Sequence, residues 1–302
     1  MTVVITTTGR PTLEHAVASA LAQVGTIVEV VVVVSGDDEL LQDVRTRLAP
    51  QVVVIGTGKP CNANVARNLG IGAATGHYIA LLDDDDYWQP EKVRVQVAAL
   101  EAAALPARTI CATAYRVEGR YDDEVWPVRP PRAGEQMGDY LFTKDSVRRL
   151  PVGFQTSTIM AARSAFLACR FDEALSIHQD WDWLVRAVDV EGFQVAFVDR
   201  PLSVYRYGRS GSATRRTQWQ QSRDWATSGD APLSPRSRGD FLLTVTLSFA
   251  STQASIVQMA GLVRLALVGG RPGLPALLLA LPRIARGFIR RALERTRGER
   301  SS

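Results

Sequence analysis

The chain has 302 residues, 46% of them apolar and 22% charged, the composition of a globular protein with room for one large core or for a domain with an appendage. Three scattered cysteines, Cys61, Cys111 and Cys169, without a CxxC pair, exclude a disulfide framework and a zinc site and suit a reducing compartment. The net charge of +4 is mild and lies largely at the C-terminus, where Arg283, Arg286, Arg290, Arg291, Arg295, Arg297 and Arg300 face only Glu294 and Glu299; such a tail suits an acidic neighbour, whether a membrane surface, a nucleic acid or a phosphorylated substrate.

The chain opens directly into a strand-like run, TVVIT, with no basic segment ahead of an apolar one, so no signal peptide is expected. Pro11 to Gln23 reads as a helix, IVEVVVVV as a β-branched second strand, 38–48 as a helix and QVVVIG as a third strand. A helix over Asn62 to Ala74, a strand at HYIALL and a helix over Glu91 to Ala104 follow. Strand and helix in alternation predict an α/β fold with a mostly parallel sheet covered on both faces, and ligands beyond the carboxyl ends of its strands. The middle is less regular. TICATAYRV, TSTIMA, FQVAFV and SVYRY read as strands, RSAFLAC and HQDWDWLVRAV as helical, and 118–137 as a loop. The polar stretch from Gly208 to Pro235 reads as a mobile loop that orders on ligand binding, and 236–296 as a helical extension. Within it, Phe241 to Val263 is 23 residues without a charge, but eight are Ser, Thr or Gln, which favours a buried or amphipathic helix over a membrane span.

Directly after the fourth strand come Asp83, Asp84, Asp85 and Asp86, followed by Tyr87 and Trp88. Four adjacent carboxylates repel one another, so something positive must offset them. They could hold a divalent cation through hard oxygen ligands, cap a helix, or form a solvated turn. Capping explains one or two of them, and the flanking aromatics argue against a solvated turn, which leaves Mg²⁺ or Mn²⁺ as the favoured partner. The oxygen-ligand spacing of an EF-hand, the P-loop, the dinucleotide fingerprint and G-x-S-x-G are all absent, and His15, His77 and His178 are too scattered for a histidine metal site. A second acidic group, Asp180 and Asp182, opens a helix. For Asp182 the reading is charge complementing the helix dipole; Asp180, beside two tryptophans, could do the same or act as a general base.

These residues resemble a known family. NVARNLGIGAATGHYIALLDDDDYWQPEKV, then TSTIMAARSAF, FDEAL, QDWDWLVRA and VDRPLSVYRY, are similar in order to the motifs of family 2 glycosyltransferases, over roughly residues 2–210. The resemblance implies the GT-A fold, with a catalytic domain over 1–215 (a nucleotide-sugar half to about 105, an acceptor half beyond) and a loop plus helical extension over 216–302. It implies inverting transfer of a sugar from a UDP- or dTDP-type donor to a glycan, lipid-linked or small-molecule acceptor, with no nucleic-acid partner, in the cytoplasm or at the inner face of the cell membrane. By position, Thr6 and Thr8 would line the nucleoside base pocket, and Arg67 would approach the base or the diphosphate. Asp83 or Asp84 would contact the ribose, Asp85 would bind Mn²⁺ or Mg²⁺, and Asp180 would be the base. The sequence departs from the family in placing Ser35 where an aspartate usually meets uridine and Gly208 where many relatives have histidine; it also lacks the processive Q-x-x-R-W motif, so single addition is expected. The competing readings are a sugar-1-phosphate nucleotidylyltransferase, whose Gly-rich loop TTTGRPTLEH matches poorly, and a catalytically silent carbohydrate-binding or scaffold protein. In the extension, Leu281, Ile284, Ala285, Phe288 and Ala292 share a helical face away from Arg283, Arg286 and Arg290, which fits a helix lying on anionic lipid or one packed on the domain or a second subunit.

Overall fold

The computed structural model describes residues 1–26, 28–119, 124–148, 152–206, 218–229 and 232–298, with side chains described to residue 291. The chain divides into two compact units, one formed by 1–131 with 151–210, the other by 132–150 with 211–302.

In the first unit the alternating segments form β1 (Thr2–Thr7), α1 (Leu13–Leu21), β2 (Glu29–Val34), α2 (Asp38–Arg47), β3 (Val53–Gly56), α3 (Ala63–Ala73), β4 (Tyr78–Asp83), the two-residue β5 (Tyr87–Trp88) and α4 (Lys92–Glu101). The strands β3, β2, β1 and β4 lie side by side and parallel. β2 is a nearly unbroken run of buried valines, as a central parallel strand covered on both faces requires. Asp37 caps α2 by accepting from the Leu40 amide, and Asn62 caps α3 by accepting from the amides of Asn64 and Val65. α3 lies close on the sheet because Gly70 has no side chain; a Cβ there would sit 2.5 Å from Val4 Cγ1.

The sheet continues through β6 (Thr109–Glu118), β7 (Glu124–Trp126), β8 (Ile159–Ala162) and β9 (Gln194–Arg206), in the order β4-β8-β6-β9-β5 with β7 on β6. β8 runs antiparallel to both β4 and β6, while β6 and β9 are parallel with a register shift near Pro201. Here the structure corrects the sequence reading in three places. The segment 118–137, expected to be a loop, contains β7. The two strands expected at 193–198 and 203–207 are one strand, bent rather than ended at Pro201. The strand expected from Thr156 begins only at Ile159, after a single helical turn. Between β8 and β9 lie α6 (Arg163–Ala168) and α7 (Gln179–Val185).

The second unit is helical: α5 (Met137–Phe142), α8 (Trp219–Thr227), α9 (Pro235–Phe241), α10 (Leu247–Ala250), α11 (Ile256–Gly269) and α12 (Leu274–Gly298). Its centre is an aromatic cluster of Phe142, Trp225 and Phe241, edge to face at 4.9–5.7 Å. Asp240 is fully buried and ties the unit together by accepting from the amides of Lys144 and Gly273 and from Arg236. α8 replaces part of the loop expected over 208–235; residues 208–217 and 230–231 of that expectation lie outside the described residues. The uncharged run 241–263 is interrupted before the capping box of Ser255 and Gln258, which starts α11. Among the described residues no helix is long and apolar enough to cross a membrane.

Candidate active site

Register sets the site. Thr6 is aligned with Val33 on one side and Asp83 on the other, so β1, β2 and β4 end level with one another. The acidic loop leaves that edge and turns at once, the Asp86 amide donating to the Asp83 carbonyl at 3.1 Å. It is anchored on the far side by β5, which pairs with Ser203 and Val204 of β9, and by the Trp88 indole, which donates to the Ser157 carbonyl at 2.8 Å.

The four aspartates then take different partners. Asp83 accepts from Arg67 at 2.9 Å. Asp84 accepts from the Thr7 hydroxyl at 2.6 Å and from Arg10 at 3.0 Å, and the same Arg10 nitrogen lies 2.8 Å from Asp85. Asp86 is buried and accepts from the Ser157 hydroxyl at 2.6 Å and the Arg206 amide at 3.1 Å. Burial pushes Asp84 up to about 6 against the pull of Thr7 and Arg10. Burial, with Asp83 and Asp85 nearby, pushes Asp86 well above the usual carboxylate range. Asp86 is therefore a strut between the loop, β8's approach and β9, and Asp83 and Asp85 are the members turned toward the outer edge.

Arg67 joins this loop to the second acidic group. It is buried, projects from α3 and donates to Asn64 Oδ1 at 3.2 Å and Gln179 Oε1 at 3.1 Å as well as to Asp83. Its Nε–H is buried with no hydrogen-bond partner among the described residues, a donor open to a ligand. Gln179 opens α7, whose sharp entry is made by His178 at φ +58°, a left-handed conformation rare outside glycine. The His178 ring stacks on Trp181 at 5.1 Å, and burial drops its pKa to about 3, so it is neutral. Asp180 follows in the first turn. Burial raises it to about 6, Arg67 pulls it down and Asp83 pushes it up. Asp182, expected to complement the helix dipole, is buried and bound by Arg186 one turn on, at 2.8 Å from Nε and 2.7 Å from Nη2.

The structure thus gathers these residues in two ion-pair groups, Asp83 with Arg67, whose charge also acts on Asp180, and Asp84 and Asp85 with Arg10. Thr6 is half-buried beside Asp83 and Thr8 is exposed beyond the strand end, whereas the hydroxyl that reaches the acidic loop is that of Thr7 between them. Ser35 directly follows β2, its hydroxyl engaged on both sides by Cys61, donating to the carbonyl and accepting from the amide, each at 2.9 Å. Arg10, Thr7 and Gln179 were not foreseen. Their signal in the sequence is slight: a loop arginine, an inward-facing strand residue and a helix-start glutamine.

Among the described residues no three His, Cys, Asp or Glu side chains converge as a metal cage. The donor set fits a different kind of centre. Mg²⁺ and Mn²⁺ commonly take one or two carboxylates and complete their shell with water and substrate phosphates, and Asp85 with Asp83 offers hard oxygens of that kind. Arg10 marks Asp84 and Asp85 as a place where positive charge is held.

Three comparisons bear on this geometry. The sequence model described as Glycosyl transferase family 2 matches residues 2–171. The chain is 33% identical over 162 residues to the amylovoran biosynthesis glycosyltransferase AmsB of Erwinia amylovora, covering 48% of this chain and 46% of AmsB. It is 40% identical over 97 residues to the succinoglycan biosynthesis protein ExoO of Rhizobium meliloti, covering 30% of this chain and 27% of ExoO. The matches thus span less than half the length of either relative. Among solved structures, S. aureus TarS 1-349 in complex with UDP-GlcNAc superposes with a TM-score of 0.54 at 11% identity, covering 89% of this chain and 71% of that one. A longer TarS structure gives 0.53 at 15% identity, covering 83% and 43%. At these identities the likeness is one of fold, and it agrees with the mixed sheet flanked by helices.

Proposed function

Because the chain belongs to glycosyl transferase family 2, we propose that it transfers a sugar, with inversion, from a nucleoside diphosphate donor to an acceptor hydroxyl, with Asp180 as the general base. The observation that carries the reading is the Asp83–Arg67–Gln179 chain of hydrogen bonds, which fastens the start of α7, and with it Asp180, to the acidic strand end. A carboxylate at about 6 is largely ionised at neutral pH and still basic enough to take a hydroxyl proton. Its proton would pass from the acceptor as that oxygen attacks the anomeric carbon from the face opposite the departing diphosphate. The unsatisfied Nε–H of Arg67 is a donor suited to a diphosphate or sugar oxygen.

A divalent cation at Asp85, assisted by Asp83, would neutralise the charge of the leaving diphosphate when bound. Asp84, held by Thr7 and Arg10, orients the loop, and Asp83 divides its oxygens between Arg67 and the ligand side. Thr6 and Thr8 bound the nucleoside side, and Ser35 shapes that wall through Cys61. The complex of TarS with UDP-GlcNAc supports a UDP-sugar donor, with dTDP-sugars the alternative. The names of AmsB and ExoO support an acceptor on the way to a polysaccharide.

The test is Asp180→Asn. UDP release from UDP-sugars should fall by at least about 10²-fold, while UDP binding with MnCl₂, measured by calorimetry, stays near wild type. In the wild type, kcat/KM should rise with pH through about 6 as the base ionises. Turnover in the variant close to wild type would overturn the assignment of the base.

A further inference from the structure

The second unit carries a surface that the transfer reaction does not use. α12 packs inward through small residues: Ala276, Ala280 and Gly287 are buried, and a Cβ on Gly287 would lie 2.5 Å from Met259 Sδ of α11. Arg290 fixes the rotation of the helix by donating to the carbonyls of Ser251 at 3.3 Å and Ala254 at 2.6 Å. The large apolar residues are consequently held outward. Leu274 is 67% exposed and Ile289 62%, and Leu278, Leu281 and Phe288 are exposed with them. At 3.6 residues per turn these five fall within an arc of about 100°. On α11, Val257 is 81% exposed and Val268 79%, with Leu267 exposed as well. This inverts the ordinary surface helix, whose large apolar stripe faces the core. Of the face foreseen in the sequence, Leu281, Ala285 and Phe288 are exposed and Ile284 half-buried, while the Ala292 side chain lies outside the described residues, so the described part of α12 does not pack on the unit through that face.

The charge around the ridge names its occupant. From Phe241 to Leu293 the chain has no Asp or Glu and six arginines, Arg264, Arg271, Arg283, Arg286, Arg290 and Arg291. Three of them, Arg264, Arg271 and Arg286, are exposed. We propose that α11 and α12 form an interfacial face that seats the protein on an anionic lipid bilayer, the apolar ridge entering the headgroup boundary and the exposed arginines meeting lipid phosphates. Among the described residues no helix is long and apolar enough to cross, and an amphipathic face with one-signed charge lies on the interface instead. A second copy of the chain is disfavoured as the occupant, because two such faces would bring arginines against arginines, and the described side chains of α11 and α12 include no carboxylate to pair with them.

The experiment is co-sedimentation of the full chain with phosphatidylcholine vesicles and with vesicles that also contain phosphatidylglycerol, alongside light scattering without lipid. The expected result is a monomer that sediments with the anionic vesicles only and is released by salt. Leu278→Glu with Phe288→Glu should lower binding at least about tenfold, the order expected for two apolar side chains withdrawn from lipid. Arg264→Gln, Arg271→Gln and Arg286→Gln combined should abolish the preference for anionic lipid. All of these positions are exposed, and circular dichroism with unchanged UDP release checks that each variant is folded. Sedimentation indifferent to lipid charge or to both sets of substitutions would overturn the proposal. So would a dimer in the absence of lipid that the glutamates dissociate.

Discussion

Arg10 is the residue that most changes how the acidic loop is understood. One of its nitrogens serves Asp84 and Asp85 together, with its side chain 41% exposed. A divalent cation at Asp85 would compete with that guanidinium for the same oxygens. Arg10→Ala should therefore tighten the binding of Mn²⁺ alone by several-fold, on the order of the ~1 kcal/mol that a partly exposed ion pair is worth. Titration calorimetry in the absence of nucleotide measures this, and an unchanged affinity would mean that arginine and metal use different oxygens. The aspartates were legible because they directly follow an apolar strand whose carboxyl end must face ligand. Arg10 was not, since a single arginine after a strand looks like a solvated side chain until the fold folds it back. Thr7 was missed for a related reason. The family resemblance points to Thr6 and Thr8, but the buried residue between them, on the other face of β1, is the one that reaches Asp84.

At the scale of elements, the loop is held by groups far away in sequence. Ser157 donates to Asp86, accepts from the Asp83 amide at 3.1 Å, and gives its carbonyl to the Trp88 indole. Ser157→Ala leaves a buried carboxylate short of a donor and should cost about 1–3 kcal/mol. Urea unfolding measures the loss, and the affinity for UDP should fall with it if the strut also sets the loop's position. A variant as stable as wild type would show that Asp86 needs only the Arg206 amide. The parallel half of the sheet was readable because β-branched runs and helical periods alternate there. The rest was harder for definite reasons. β5 and β7 are too short to have a period. β9 continues past Pro201 because the proline falls at a register shift, where no ladder donor is needed. α4 hides Lys92, wholly buried over the Trp88 ring at 3.9 Å and lowered to about 7, where a helix lysine would be expected in water.

At the scale of the molecule, the site stores unfavourable charge. Asp84 and Asp180 are raised to about 6 and Asp86 well above the usual range, whereas unfolded aspartates titrate near 4. For Asp84 and Asp180 the folded chain holds more protons than the unfolded one between about pH 4 and 6, so their contribution to stability falls as pH rises through that window and stays lower above it, and Asp86 acts in the same direction. Asp180→Asn removes one such group. It should raise Tm relative to wild type at pH 7 and by about half as much at pH 5, and no gain at either pH would place Asp180 in open solvent. A gain in stability with a loss of turnover is what a charged catalytic group predicts. The grouping of 132–150 with the C-terminal helices was beyond sequence reading for a simpler reason, because contacts such as Asp240 with the Lys144 amide join residues 96 positions apart.

Arg67 gives one guanidinium to two jobs, neutralising Asp83 and holding down the proton affinity of Asp180. Whatever quiets Asp83 also removes a charge that adds to the lift burial gives Asp180. A cation arriving at the strand end would therefore make Asp180 more acidic and leave this proposed base ionised when cargo is bound.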